Sequence, residues 1–463
     1  MIRKRQTEIG LAIIILVFIA ANVISIVRNN IPDWDESVYI GMGKYMFSGG
    51  NAGAWEMLRP LPMAFFIGLS WKAGLNPIYA GKALGVLFSV LNIIFTYKIG
   101  KELFNRKAGL FAAFFLAITP VFFKWSGNGM TEMPSVFFTL LALWLLVKNK
   151  NMLWIGVCAG ISFLFKFPNG LFMIVFAVLL LFYWKKNKIS LKPLLMCLAG
   201  FGVVILPFIV FNLLMYGGEV NPFAAMFRPM LIAAKEQSNP FYPGGLLFYL
   251  TGLIKTNPLL VFSITGLFFF LRKKECGIGK ALLAAYAIIG LLYFSIIQNK
   301  DLRFAILFLP YLTMLAGYGA AEVIRHKRIG CGLLLIVLIA AIPAAYYDIT
   351  RSNKFDVPDP SIKEFFSYFN KNTTEGIILT TLPYPMAYSD ARFKSIFYVS
   401  ESPEQILNGV SAAVFAPSAV KCREDDLRCI EQKDALTEEI FKRGKLVASK
   451  EYGNDIVNIY LIS

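Results

Sequence analysis

Apolar runs of 15 to 23 residues, separated by short polar stretches, fill the first three quarters of the chain and predict helices that cross a membrane. The first covers 9–27. Ten more follow at 78–97, 109–123, 133–147, 152–167, 170–184, 194–216, 257–271, 281–297, 304–324 and 329–345. Several are shorter than the roughly 20 residues of a full span, which requires local thinning of the bilayer or helix ends completed by polar flanks. As one helix, 152–184 would be about 50 Å long at 1.5 Å per residue, too long for one crossing. The interruption Lys166-Phe167-Pro168-Asn169 therefore predicts a hairpin of two short spans.

The polar stretches differ in sign from one side to the other. Twenty of the 32 basic residues before Tyr346 fall in the short segments at 3–5, 98–107, 148–150, 185–192, 272–280 and 325–328. The intervening loops are longer and hold most of the carboxylates. This is the positive-inside pattern, and it predicts a cytoplasmic N-terminus and, after eleven spans, an external C-terminus. A composition of 57% hydrophobic and 16% charged residues agrees with a polytopic protein of the cell membrane. No small-residue cleavage site follows the first run, so it is expected to stay as a helix. The net charge of +17 is accounted for by basic residues facing anionic headgroups, without nucleic acid.

After Tyr346 the pattern changes. Residues 346–463 carry 14 basic and 17 acidic side chains, and their apolar runs are short. Stretches 377–381, 396–399, 412–416, 446–452 and 456–462 alternate or cluster as strands do, and 361–370 and 434–442 as helices do. The expected architecture is an α-helical transmembrane domain, 1–345, with a small extracytoplasmic α/β domain, 346–463. Cys422 and Cys429 are close enough in this outer domain for a disulfide, and their spacing is not that of a zinc site.

Candidate chemistry concentrates at the outer ends of spans. Asp33-Trp34-Asp35-Glu36 puts three carboxylates just after the first span, and carboxylates crowded in low dielectric can raise one another's pKa into the range of a proton acceptor. The plain alternative is a solvated acidic loop. Glu132, in Thr131-Glu132-Met133-Pro134, opens the fourth span; Lys166 marks the hairpin tip. Asn299-Lys300-Asp301-Leu302-Arg303-Phe304 joins the ninth and tenth spans. Glu219, Arg228, Lys235 and Lys255 lie in the 217–256 loop. Taken singly, such cations snorkel to headgroups and Glu132 caps a helix. The sole histidine, His326, lies in a cytoplasmic loop, which excludes a histidine-based triad or a histidine-rich metal site outside. The chain has no P-loop and no dinucleotide fingerprint. Carboxylates with separated cations at one bilayer face suit transfer of a sugar from a lipid phosphate: a carboxylate takes the acceptor proton while Lys and Arg stabilise the departing phosphate.

These motifs resemble those of the GT-C integral-membrane glycosyltransferases that use polyprenyl- or dolichyl-phosphate sugars, and most of all the protein mannosyltransferase and aminoarabinose transferase-like families. Asp35-Glu36 is similar to their first-loop acidic motif, which implies Asp35 as base with Glu36 beside it. Thr131-Glu132-Met133-Pro134 is similar to a second acidic motif usually written with Asp. Phe165-Lys166-Phe167-Pro168 resembles their lysine-containing turn and implies phosphate contact by Lys166. The 299–304 segment resembles a His-Lys-Glu-x-Arg-Phe motif, with Asn for His and Asp for Glu, which adds Arg303 and Lys300 as phosphate ligands. Asp33, Arg59 and Asp301 are further candidates. By the same resemblance, the apolar but interrupted segment 59–77 would form one or two helices along the outer membrane face.

The implied activity is hexosyl transfer by an inverting enzyme, with a polyprenyl-phosphate-linked sugar as donor, a protein, lipid or glycan as acceptor, and membrane lipids around the spans. No metal site or cofactor is expected, although Asp33, Asp35 and Glu36 could bind a divalent cation, as an oligosaccharyltransferase would require. A lipid or sugar transporter or flippase is the alternative from another class, but it would place its charges at the midplane and commonly show inverted repeats. A scaffold that keeps the fold without catalysis is a third.

Overall fold

Every one of the eleven predicted runs is helical in the computed structural model, which describes all residues except 1, 58, 219–220, 225–244, 273–276, 298–299, 326, 352–358, 372–375, 397–401, 421, 423–425 and 454. Among the described residues, six helices are long and apolar enough to cross a membrane: Gln6–Arg28, Pro77–Leu103, Phe167–Lys185, Lys192–Tyr216, Ile278–Ile296 and Gly330–Thr350. Arg106–Ile118 and Pro120–Ser126 make a seventh if counted as one span bent by 66° at Thr119, where Pro120 cannot continue the backbone ladder. The short predicted spans are short helices: Glu132–Val147, Met152–Phe165 and Pro258–Leu271. The predicted hairpin is present. Met152–Phe165 ends at Lys166, a 3₁₀ turn occupies Phe167–Gly170, and Leu171–Lys185 returns.

The chain divides into two compact units. The first comprises 1–27, 85–127 and 131–355. Its core is aromatic and aliphatic throughout, with Phe115, Phe122, Phe172, Tyr286, Phe308 and Tyr311 fully buried. Helices there meet backbone to backbone. A Cβ on Gly156 would fall 1.9 Å from the Cys197 carbonyl oxygen, so only glycine permits this crossing with Lys192–Tyr216, as at other small-residue contacts between membrane helices.

The second unit comprises 28–84, 128–130 and 356–463. Its sheet has the order β2-β1-β3-β5-β4, with β1 at Ile377–Thr380, β2 at Phe393–Ser395, β3 at Val410–Phe415, β4 at Gly444–Tyr452 and β5 at Asp455–Ile462. β2, β1 and β3 run parallel, and β5 is antiparallel to both β3 and β4. Helix Leu427–Arg443 packs its Leu436 and Ile440 against one apolar cluster of the sheet, and the Cys422–Cys429 disulfide closes the loop at its start. Of the seven elements expected here, the strand at 396–399 falls, apart from Ile396, outside the described residues, and β2 precedes it at Phe393–Ser395. The helix expected at 361–370 is two pieces, Pro360–Phe366 and Tyr368–Lys371.

The non-sheet part of this unit joins the sheet directly. Gly53 bridges to Arg392 beside β2, donating to the Ala391 carbonyl and accepting from the Phe393 amide, both at 2.8 Å. Helix Leu61–Lys72 starts after Pro60 and lies where the interrupted segment 59–77 predicts one. Lys255 lies in helix Phe248–Thr256, not in a loop; Glu219, Arg228 and Lys235 lie outside the described residues.

Candidate active site

The acidic tetrad is the start of a helix, not a loop. Asp33 is the N-cap of Trp34–Ser48, and its carbonyl accepts from the Ser37 amide and hydroxyl, each at 2.9 Å. The Glu36 carboxylate reaches back to the Asp33 amide at 3.3 Å, the reciprocal contact of a capping box. Successive helix positions point in different directions, and so the three carboxylates have three environments.

Asp33 accepts from the Asn128 side-chain amide. Glu36 is fully buried. Its Oε1 accepts from the Gly129 amide at 3.0 Å, and its Oε2 lies 3.4 Å from the Lys82 ammonium. Lys82, itself 3% exposed, also reaches the Ile31 carbonyl at 3.4 Å. Burial raises the Glu36 pKa above the ordinary carboxylate value, Lys82 opposes the rise and Asp33 adds to it. A Cβ at Gly129 would come within 3.1 Å of both Oε1 and the Gly81 Cα, so a larger residue would have to push this carboxylate or its neighbour aside by a few tenths of an ångström.

Asp35 remains within reach of solvent. It is 16% exposed and accepts from Arg59 Nη1 at 2.7 Å, while Arg59 Nε donates to Glu56 at 3.1 Å. One guanidinium thus fixes two carboxylates by its rigid fork. Trp34 meets Tyr384 edge to face at 6.1 Å. Burial first, then Tyr452, Asp33 and Asp35, hold the Tyr384 phenol above its ordinary pKa.

The remaining candidates lie in the first unit, and Glu132 gathers them. Glu132 is 1% exposed at the first turn of Glu132–Val147. Its Oε1 is 2.8 Å from Lys166 Nζ and 3.3 Å from Arg303 Nε. Lys166 is placed by the helix end before the Pro168 turn, and Arg303 by Asp301, whose side chain caps the 3₁₀ turn Leu302–Leu307 through the Arg303 amide at 2.8 Å. The Arg303 guanidinium lies 4.9 Å from the Trp125 ring centre, and the Lys166 ammonium 5.6 Å from that of Phe304. The two cations are 14% and 15% exposed. They are held in place by aromatic faces and a buried carboxylate, and each stays open on one side.

Lys300 does not join them: it is 4% exposed and donates to the Ile297 carbonyl at 2.7 Å. Arg59, named only as a further candidate from the sequence, is the partner of Asp35. Lys82 is absent from the sequence-based set, and its only signal is a lone lysine within the apolar run 78–97. Among the described residues, no three His, Cys, Asp or Glu side chains are grouped as metal ligands.

Removing the charge of Glu36 leaves a buried lysine uncompensated. Glu36→Gln is expected to cost about 3–5 kcal/mol, read as a lowered unfolding midpoint of the purified protein in detergent. The double variant Glu36→Gln with Lys82→Met should recover most of that loss. A wild-type midpoint in the single variant would mean that the pair does not hold the helix start.

Comparison with known proteins bears on the fold. Residues 59–211 match the family model described as dolichyl-phosphate-mannose-protein mannosyltransferase. The ArnT structure from Cupriavidus metallidurans bound to undecaprenyl phosphate matches with a TM-score of 0.63 and 14% identity, over 96% of this chain and 97% of that one. The apo oligosaccharyltransferase of Archaeoglobus fulgidus matches with a TM-score of 0.59 and 13% identity, over 88% of this chain and 70% of that one. The Archaeoglobus fulgidus AglB in complex with an inhibitory peptide and a dolichol-phosphate gives 0.59 and 13%, over 100% and 74%. No curated protein sequence matches. The resemblance carried by the short motifs therefore extends to the fold of nearly the whole chain, which is that of the GT-C integral-membrane glycosyltransferases.

Proposed function

We propose that the chain is an inverting glycosyltransferase that moves a sugar from a polyprenyl- or dolichyl-phosphate donor to an acceptor hydroxyl at the outer membrane face. The observation that carries this reading is the unequal fate of the three clustered carboxylates. Glu36 is sealed and paired, whereas Asp33 and Asp35 are both partly exposed; Asp33 is occupied as the helix N-cap and by the Asn128 amide, and Asp35 is oriented by the Arg59 guanidinium. A general base must touch the proton it takes, so accessibility selects Asp35 over the buried Glu36 and the buried Glu132.

In the proposed step, Asp35 accepts the hydroxyl proton as the acceptor oxygen bonds to the anomeric carbon. The bond from that carbon to the phosphate oxygen breaks, and the phosphate leaves with the electron pair. Lys166 and Arg303 stabilise the charge that grows there, and their prior fixation by Glu132 means that little reorganisation is needed at that moment. Arg59 orients Asp35, Asp301 orients Arg303, and Lys300 braces the turn through the Ile297 carbonyl. Phosphate leaves without protonation, so no second carboxylic acid is required. A single displacement inverts the anomeric centre.

By the same reading, 1–345 is the transferase domain and 346–463 an extracytoplasmic soluble domain of a plasma-membrane protein with its N-terminus inside. The ground is the asymmetry of basic residues. Reporter fusions should read cytoplasmic at Lys186 and external after Ser463; a cytoplasmic C-terminus would contradict the orientation.

Turnover of the purified enzyme with a polyprenyl-phosphate sugar tests the roles. Asp35→Asn should lower turnover by roughly 10²–10⁴-fold, the scale of general-base loss, with donor affinity retained. Lys166→Met and Arg303→Met should each reduce transfer strongly in protein that still folds and inserts. Full activity in Asp35→Asn beside an inactive Glu132→Gln would move the base to Glu132, and wild-type kinetics in both cation variants would make those residues headgroup contacts only.

A further inference from the structure

The second unit contains an open cavity of about 290 Å³ that the reaction scheme leaves unused. It is near the lower end of ligand-pocket volumes, roughly 300 Å³, which suits one small ring. Its rim comes from four chain segments: Trp71 at the end of Leu61–Lys72, Asn76 and Tyr79 at the start of Pro77–Leu103, Asn370 in Tyr368–Lys371, and Asp390 before β2. Its floor holds Lys44, which is 2% exposed and donates to the Ser389 carbonyl at 2.9 Å.

The polar groups are tied to one another and still present themselves outward. Asp390 pairs with Lys44 at 3.0 Å and accepts from the Trp71 indole at 3.1 Å, yet its side chain is 65% exposed. Tyr79 is 46% exposed, with its hydroxyl held by the Asn30 amide at 2.8 Å. Asn370 is exposed and donates to the Tyr388 carbonyl at 2.6 Å. This set offers amides, a carboxylate and an aromatic face at once. A sugar ring asks for that mixture, because each hydroxyl both donates and accepts while its C–H face is apolar. An anionic headgroup would meet the exposed Asp390 carboxylate beside the exposed Lys363, which also lines the cavity. Trp and Tyr at span ends commonly anchor in headgroups, but the Trp71 indole N–H is committed to Asp390.

Tyr388 lines the cavity as well, and burial holds its phenol above its ordinary pKa.

We infer that this cavity is a saccharide-binding subsite that takes a pyranose ring of the acceptor, so that the acceptor is a glycan or a glycolipid. The acceptor role rests on the transferase reading above, whereas saccharide binding does not. Saturation-transfer NMR on the full chain in lipid nanodiscs tests it, with methyl gluco-, manno-, galacto- and N-acetylglucosaminopyranosides as probes and glycerol phosphate as the headgroup probe. At least one glycoside should bind, and binding should weaken by about tenfold in Tyr79→Ala and in Asn370→Ala, both rim positions whose unfolding midpoints are checked alongside. Asp35→Asn should bind the glycoside as wild type does. Absence of glycoside binding, binding unchanged in both rim variants, or a response to glycerol phosphate alone would overturn the subsite. A chain that binds the glycoside but transfers no sugar would leave the subsite standing and remove the transferase reading.

Discussion

A carboxylate shut away from water has to be matched by a cation, and the helix Trp34–Ser48 is built on such a match. Glu36 and Lys82 are 46 residues apart in sequence and 3.4 Å apart in space, both almost wholly buried. Either one alone would cost several kcal/mol. The pair therefore ties the helix start to the first turns of Pro77–Leu103, and the Gly129 amide adds the segment 128–130. Adjacent positions on a helix are turned by about 100° from each other. Once Glu36 is fixed inward, Asp35 must look elsewhere, toward Arg59 and the remaining open space.

The same device recurs at Glu132, which is buried and holds Lys166 and Arg303 from segments 34 and 171 residues away in sequence. In both places the buried carboxylate acts as an anchor for cations. The groups proposed to act in the reaction are partly exposed: Asp35 in one cluster, and the two cations in the other. A catalytic carboxylate needs an approach path, and an anchoring one needs its absence, so burial separates two roles that composition makes look alike.

The spans were legible because runs of apolar residues longer than any soluble helix requires leave little choice in a bilayer. The Lys166 turn was legible from its proline. The helix start at the acidic tetrad is not among the elements expected from the sequence, although Asp33-x-x-Glu36 ahead of Val38–Met42 is a capping-box pattern; three charges in four residues obscure the helix signal. Lys82 and Lys44 were missed for a different reason. Each is a single lysine whose meaning depends on a carboxylate far away in sequence, Glu36 or Asp390, and no local pattern encodes that partner. β2 is absent from the strands expected from the sequence, because a three-residue strand carries almost no periodicity.

The proposed reaction is a single displacement at the anomeric carbon with Asp35 as the base. The configuration of the product tests this most directly. With purified protein and a polyprenyl-phosphate sugar of known anomeric form, proton NMR of the first product should show the opposite configuration at that carbon. Retention of the donor's configuration would require a covalent glycosyl-enzyme intermediate and would contradict the account.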